Sequence, residues 1–137
     1  MGKVLGIDYG TKRTGLAITD ATQLIASGLT TVLTHNLDDF ISNLVAKDDI
    51  SSFVVGKPVN LDGSSTDSTS HVNGFIKRLK QKYPTISVHQ IDERFTSKIA
   101  KQSILASGMK KQERQNKALV DKVSATIILQ NYLDYRS

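Results

Sequence analysis

Cysteine and tryptophan are absent from the 137 residues, and proline occurs only twice. Without cysteine there is neither a disulfide framework nor a thiolate metal site, which fits a reducing cytoplasm. With no tryptophan, and four tyrosines and four phenylalanines scattered along the chain, there is no aromatic stripe on which single-stranded bases could stack. No apolar run approaches the roughly 20 residues of a membrane-spanning helix, and no signal-peptide pattern opens the chain. Repeats, low-complexity tracts and linkers are missing too. The sequence reads as a soluble, cytoplasmic protein with no membrane partner, folded as one domain over residues 1–137.

Positive charge is present in excess. Lys and Arg number 18 against 13 Asp and Glu, a net charge of +5. That balance favours a polyanionic partner, nucleic acid first.

Residues 3–20 read as two short apolar runs joined by a glycine-bearing polar turn, a hairpin signal. A third strand is expected over 24–33, ending in the β-prone Thr30-Thr31-Val32-Leu33. Leu37, Phe40, Ile41, Leu44 and Val45 then recur at helical spacing. Phe53-Val54-Val55 before Gly56 is a continuous apolar run, as in a strand buried on both faces. A loop of small and polar residues follows, from Gly56 to Ser65. Val72, Phe75, Ile76, Leu79 and Tyr83 mark a second helix stopped by Pro84. Residues 86–91 form a last strand. Thr96 or Ser97 would cap a helix ending near Gly108, and after a charged loop at 110–117 a final helix runs to about Leu133. Strand-helix-strand-helix-strand implies parallel pairing with right-handed crossovers. The opening hairpin adds antiparallel strands. The expectation is an α/β fold: a five-stranded mixed sheet with helices on both faces.

Ligands bind at the rim where parallel strands end. Asp8 ends the first strand and Glu93 lies just past the last, both directed to that rim. Asp121 lies on the final helix within the arc of Ala125, Ile128, Leu129 and Tyr132, a costly place for an unpaired carboxylate. Simpler roles stay open for each. Asp8 could bond its own turn backbone; Asp121 could serve the helix dipole or pair with a buried Arg. Taken together, three carboxylates with no His/Cys cluster suit a hard cation, Mg²⁺ or Mn²⁺. Two such ions could activate water for phosphodiester hydrolysis, with Asp8 bridging them. His35, His71 and His89 show no metal-ligand spacing. Tyr9 could pack inward or meet a base.

The blocks Gly6-Ile7-Asp8-Tyr9-Gly10 with Arg13-Thr14-Gly15 and Ala17, Val54-Val55-Gly56-Lys57-Pro58 with Asn60, Asp62 and Gly63, Asp92-Glu93-Arg94-Phe95-Thr96-Ser97, and Val120-Asp121-Lys122 through Ala125 to Ile128-Leu129-Gln130 carry a resemblance. In this order and length the chain resembles the YqgF/RuvX family of RNase H-like nucleases. The resemblance implies an RNase H-like fold and a catalytic and metal-binding set of Asp8, Glu93 and Asp121. It implies a nuclease maturing the 5′ end of pre-16S rRNA in ribosome biogenesis, with a pre-ribosomal particle as a partner. The family also resembles Holliday-junction resolvases, which leaves branched DNA as the alternative substrate and monomer or homodimer open. Two departures stand out: Lys57 replaces a usually apolar residue, and the acid often found at the end of the fourth strand is missing, so Glu93 must serve from the next.

Lys12, Arg13, Lys57 and Arg94 lie in rim loops and, with Asn60, are candidate nucleic-acid contacts. Ordinary solvated charge is the rival reading for each, and turn chemistry the rival for Asn60, Asp62 and Ser64. Lys110, Lys111, Arg114 and Lys117 form a basic stretch that could track a backbone or simply be solvated. Residues 6–11 also look like the phosphate-binding hairpin of the actin, Hsp70 and sugar-kinase ATPases, but those close two such domains around ATP. A non-catalytic RNA-binding module is the other rival, and three rim acids, which repel phosphate, speak against it.

Overall fold

The computed structural model describes residues 2–57, 67–92 and 117–136. Their elements, labelled in chain order, are β1 (Lys3–Asp8), β2 (Arg13–Thr19), β3 (Ala26–Leu33), a 3-10 turn (Thr34–Asn36), α1 (Leu37–Lys47), β4 (Ile50–Lys57), α2 (Asp67–Lys82), β5 (Ser87–Asp92) and α3 (Lys117–Arg136). The strands form one sheet in the order β3-β2-β1-β4-β5. β1/β2 and β2/β3 pair antiparallel, while β1/β4 and β4/β5 pair parallel. This is the five-stranded mixed sheet expected from the sequence.

β1 lies at the centre, and alternation along it feeds two cores. Leu5 and Ile7 join Leu16, Phe53 and Val55 beneath α1 and α2, with Leu37, Ile41, Val72, Phe75, Ile76 and Leu79 supplied by the helices. Val4 faces the other way and joins Ala17 and Val54 beneath Ala125, Ile128 and Leu129 of α3. Helices therefore cover both faces. Each fully buried aliphatic or aromatic side chain contributes about 1.5–3 kcal/mol over leaving it in water. The described residues contain no helix long and apolar enough to cross a membrane.

Several boundaries differ from the expected ones. β4 runs on through Gly56 and Lys57, which read as loop, and β5 spans Ser87–Asp92 rather than 86–91, because backbone pairing continues past the last apolar side chain. Arg13 begins β2 rather than lying in a loop. β3 starts at Ala26 rather than Leu24. Asp20 accounts for the shift: its Oδ1 accepts the backbone N–H groups of Leu24 (3.1 Å) and Ile25 (3.2 Å), which ties those residues into a corner. Gln23 in that corner has φ 60°, and its amide donates to the Gly2 carbonyl and to Ser51 Oγ. Leu24 and Ile25 are left 70% and 65% exposed. The Asp20 carboxyl is held down to about 2 from an ordinary 3.8, first by the Thr22 hydroxyl and then by these backbone donors. α2 spans Asp67–Lys82, so it takes in the polar stretch before Val72, the first of its apolar positions. The last helix runs on to Arg136 through a polar turn that carries no such signal.

Candidate active site

Asp8, the last residue of β1, stands opposite Gly15 of β2. It lies two and four residues beyond Gly6 and Val4, so it shares their side of the sheet, the side that α3 covers. α3 comes close there because the sheet offers almost no side chain. A Cβ on Gly6 would lie 2.7 Å from Leu129 Cβ, and one on Gly15 would lie 2.0 Å from the Asp121 carbonyl oxygen. Asp121 is thus seated against Gly15, and Asp8 is one strand spacing, about 5 Å, from the same glycine. Two of the three expected acids are brought together on one face of one rim.

Arg13 shares that face of β2 with Gly15 and Ala17. Its Nε donates to Asp121 Oδ2 at 3.1 Å, with the two side chains 35% and 26% exposed. Asp121 is therefore half-buried, at the edge of the apolar face rather than inside it. It also lies beyond the first turn of α3, which contains no acid, so it is not there to serve the helix dipole. The alternative of an arginine partner is the one realised, and the arginine is Arg13. A half-exposed pair of this kind stabilises by up to about 1 kcal/mol.

The turn between β1 and β2 is held from outside. The Thr34 N–H donates to the Lys12 carbonyl at 2.9 Å. The Thr34 hydroxyl donates to the Gly10 carbonyl at 2.6 Å and meets the Thr14 hydroxyl at 3.0 Å. Lys12 is exposed at this turn. Tyr9 turns to the opposite face from Asp8 and stacks on Phe75 with ring centroids 4.6 Å apart, so it packs inward. His89 is a half-buried strand residue whose ring lies 5.1 Å from that of Tyr132.

On the far side of β1, Lys57 and Asp92 are register partners at the ends of β4 and β5. Glu93 follows Asp92 directly in sequence. Glu93, Arg94 and Asn60 lie outside the described residues, as do the side chain of Lys57, the basic stretch 110–116 and the helix expected to end near Gly108. Among the described residues no three His, Cys, Asp or Glu side chains gather into a metal-holding group. Asp8 and Asp121 provide oxygen donors on one face, with the Arg13 cation already against one of them. That donor chemistry fits a hard divalent ion.

Thr34 has no signal in the sequence, and Lys122 stands there only within a motif block. Thr34 pins the turn, and no local pattern distinguishes it from any threonine before a helix. Lys122, next to Asp121, lays its stem across β3 where Gly28 leaves room; a Cβ there would lie 2.9 Å from Lys122 Cγ. A cleft of about 310 Å³, lined by Asp38, Ile41, Arg78 and Tyr83 among others, opens between α1 and α2 on the other face. The acids occupy a rim instead.

The comparisons with known proteins agree with this architecture. The model of the RuvX family, described as Holliday junction resolvase, matches residues 2–135. Relatives from Flavobacterium johnsoniae and Phocaeicola vulgatus, both named "Putative pre-16S rRNA nuclease", are 49% and 50% identical to the chain. The alignments cover 97% and 98% of this chain and 96% of each relative. A solved structure of Thermus thermophilus RuvC in complex with a Holliday junction substrate superposes with a TM-score of 0.59 at 14% identity, covering 99% of this chain and 96% of that one. The fold is RNase H-like, and the chain belongs to the RuvX family.

Proposed function

We propose that the chain is a metal-dependent nuclease that hydrolyses phosphodiester bonds and processes the 5′ end of pre-16S rRNA. The observation that carries this reading is the seating of Asp121 against Gly15, directly across from Asp8, on a rim that also holds Arg13 and Lys12. The relatives' shared name and the family model support the nuclease class. The net charge of +5 supports a nucleic-acid partner.

Asp8, Asp121 and Glu93 would hold Mg²⁺ or Mn²⁺. When bound, a pair of such ions lowers the pKa of an attacking water and stabilises the leaving oxygen. The chain's own residues supply the rest. Asp8 is fixed by the central strand of the sheet, and Asp121 by a helix packed on glycine. Lys12, Arg13, Lys57, Asn60 and Arg94 bind the phosphates on either side of the scissile bond, and Thr34 keeps the turn bearing Lys12 and Arg13 in place. The protein works in the cytoplasm as a single domain, on the pre-ribosomal particle.

Cleavage of four-way DNA is the second reading, favoured by the family model's description. It requires two active sites, hence a homodimer, whereas rRNA processing is open to a monomer. The test incubates the protein with Mg²⁺ or Mn²⁺ and two labelled substrates, a pre-16S 5′-end RNA and a four-way DNA junction, beside Asp8→Asn. RNA cleavage lost in the variant is the expected result. Junction cleavage alone selects the second reading, and cleavage of neither overturns the catalytic assignment.

A further inference from the structure

The ion pair between Arg13 and Asp121 has a consequence for how the site is loaded. Asp121 is an expected metal ligand, yet one of its oxygens already accepts a hydrogen bond from a permanently charged guanidinium at 3.1 Å. Arg13 is not a remote residue reaching in. It stands two positions before Gly15 on the same face of β2, and Gly15 is the residue against which the Asp121 backbone rests. Strand and helix therefore hold the two side chains beside each other. Only Nε makes this contact, while a guanidinium carries five N–H donors in a planar fork suited to phosphate. The Arg13 side chain is about one-third and the Asp121 side chain about one-quarter exposed, so exchange of partners requires no unfolding.

We propose that Arg13 is a resident counter-cation of the site, which competes with divalent metal for Asp121 and, once displaced, takes a substrate phosphate. In the metal-free protein it neutralises Asp121. Were Asp8 and Asp121 to hold a divalent ion, the guanidinium would be repelled and would give up the Asp121 oxygen it used. Arg13 then turns its fork to the polyanion. Metal and nucleic acid thereby favour each other's binding through one side chain, and linkage makes that coupling reciprocal. The proposal rests on the metal-nuclease reading.

The test reads metal binding directly, without turnover. Free Mn²⁺ is followed by electron paramagnetic resonance during titration into wild-type protein, Arg13→Gln, Arg13→Lys and Asp8→Asn, with thermal melting to verify that each is folded. Removing a half-exposed competing cation should tighten Mn²⁺ binding by Arg13→Gln by up to about fivefold, with Arg13→Lys close to wild type. A second titration uses a phosphorothioate RNA fragment with and without Mn²⁺. Wild type should bind the RNA more tightly when Mn²⁺ is present, and Arg13→Gln should lose that increment. If Arg13→Gln binds Mn²⁺ as wild type does, or more weakly, the counter-cation role is overturned while the nuclease reading stands. If wild type and Asp8→Asn show the same lack of Mn²⁺ binding, the metal-nuclease reading fails, and this inference with it.

Discussion

The two faces of the sheet are packed by opposite means. Under α1 and α2 the sheet presents Leu5, Ile7, Leu16, Phe53 and Val55, large side chains that keep the helices at a distance and fill the space with hydrocarbon. Under α3 it presents Val4, Gly6, Gly15, Ala17 and Gly28, so that the helix rests nearly on the strands. The first face is built for burial. The second sacrifices apolar volume for closeness, and closeness is what a pair of carboxylates on different elements requires. Stability and position are thus drawn from separate sides of one sheet.

Three substitutions test that division, beyond those already described. Phe53→Ala, in the fully buried core beneath α1 and α2, should destabilise by about 3–5 kcal/mol, read by urea or thermal unfolding. Below the melting transition the variant should keep its metal affinity, since Phe53 faces away from the acids. Gly15→Ala reverses that profile. Its Cβ meets a backbone carbonyl at 2.0 Å, so α3 has to shift. Overpacking of this kind costs about 1–3 kcal/mol, but a displacement of about 1 Å at Asp121 can lower cleavage by up to about a hundredfold. Equal loss of stability and activity in both variants would abolish the distinction. Gly74→Ala is the control of smallest effect. Nothing lies within 4 Å of a Cβ at this exposed position on α2, and the change should stabilise by about 0.5–1 kcal/mol without altering cleavage.

The contrast between faces also explains what the sequence discloses. Large apolar residues repeat at strand and helix periods, so Leu5, Ile7, Phe53, Phe75 and Leu79 announce themselves, and with them the order of elements and the mixed sheet. Asp8 and Asp121 are legible because a carboxylate beside apolar neighbours is conspicuous. The helical arc placing Asp121 beside Ala125, Ile128 and Leu129 is the one that packs on the sheet. What binds Asp121 is not legible: Arg13 is 108 positions away, and no local pattern picks it from 18 basic residues. The same holds for Gly15 and Gly28, whose role lies in what approaches them. The start of β3 is hidden for a related reason, since Leu24 and Ile25 have strand-like side chains but their backbone donors are claimed by Asp20.

That 108-residue separation bears on the order in which the protein acquires its properties during synthesis. The β1–β2–β3 meander closes through neighbouring segments and can form while the rest of the chain is still being made. Until α3 has emerged, however, Val4, Ala17 and Val54 lack their cover, and Asp8 lacks Asp121 across from it. An incomplete chain can therefore hold the meander without the geometry of the rim. The helix that seals the hydrophobic face is also the one that brings Asp121 beside Gly15, so the cover and the carboxylate arrive together.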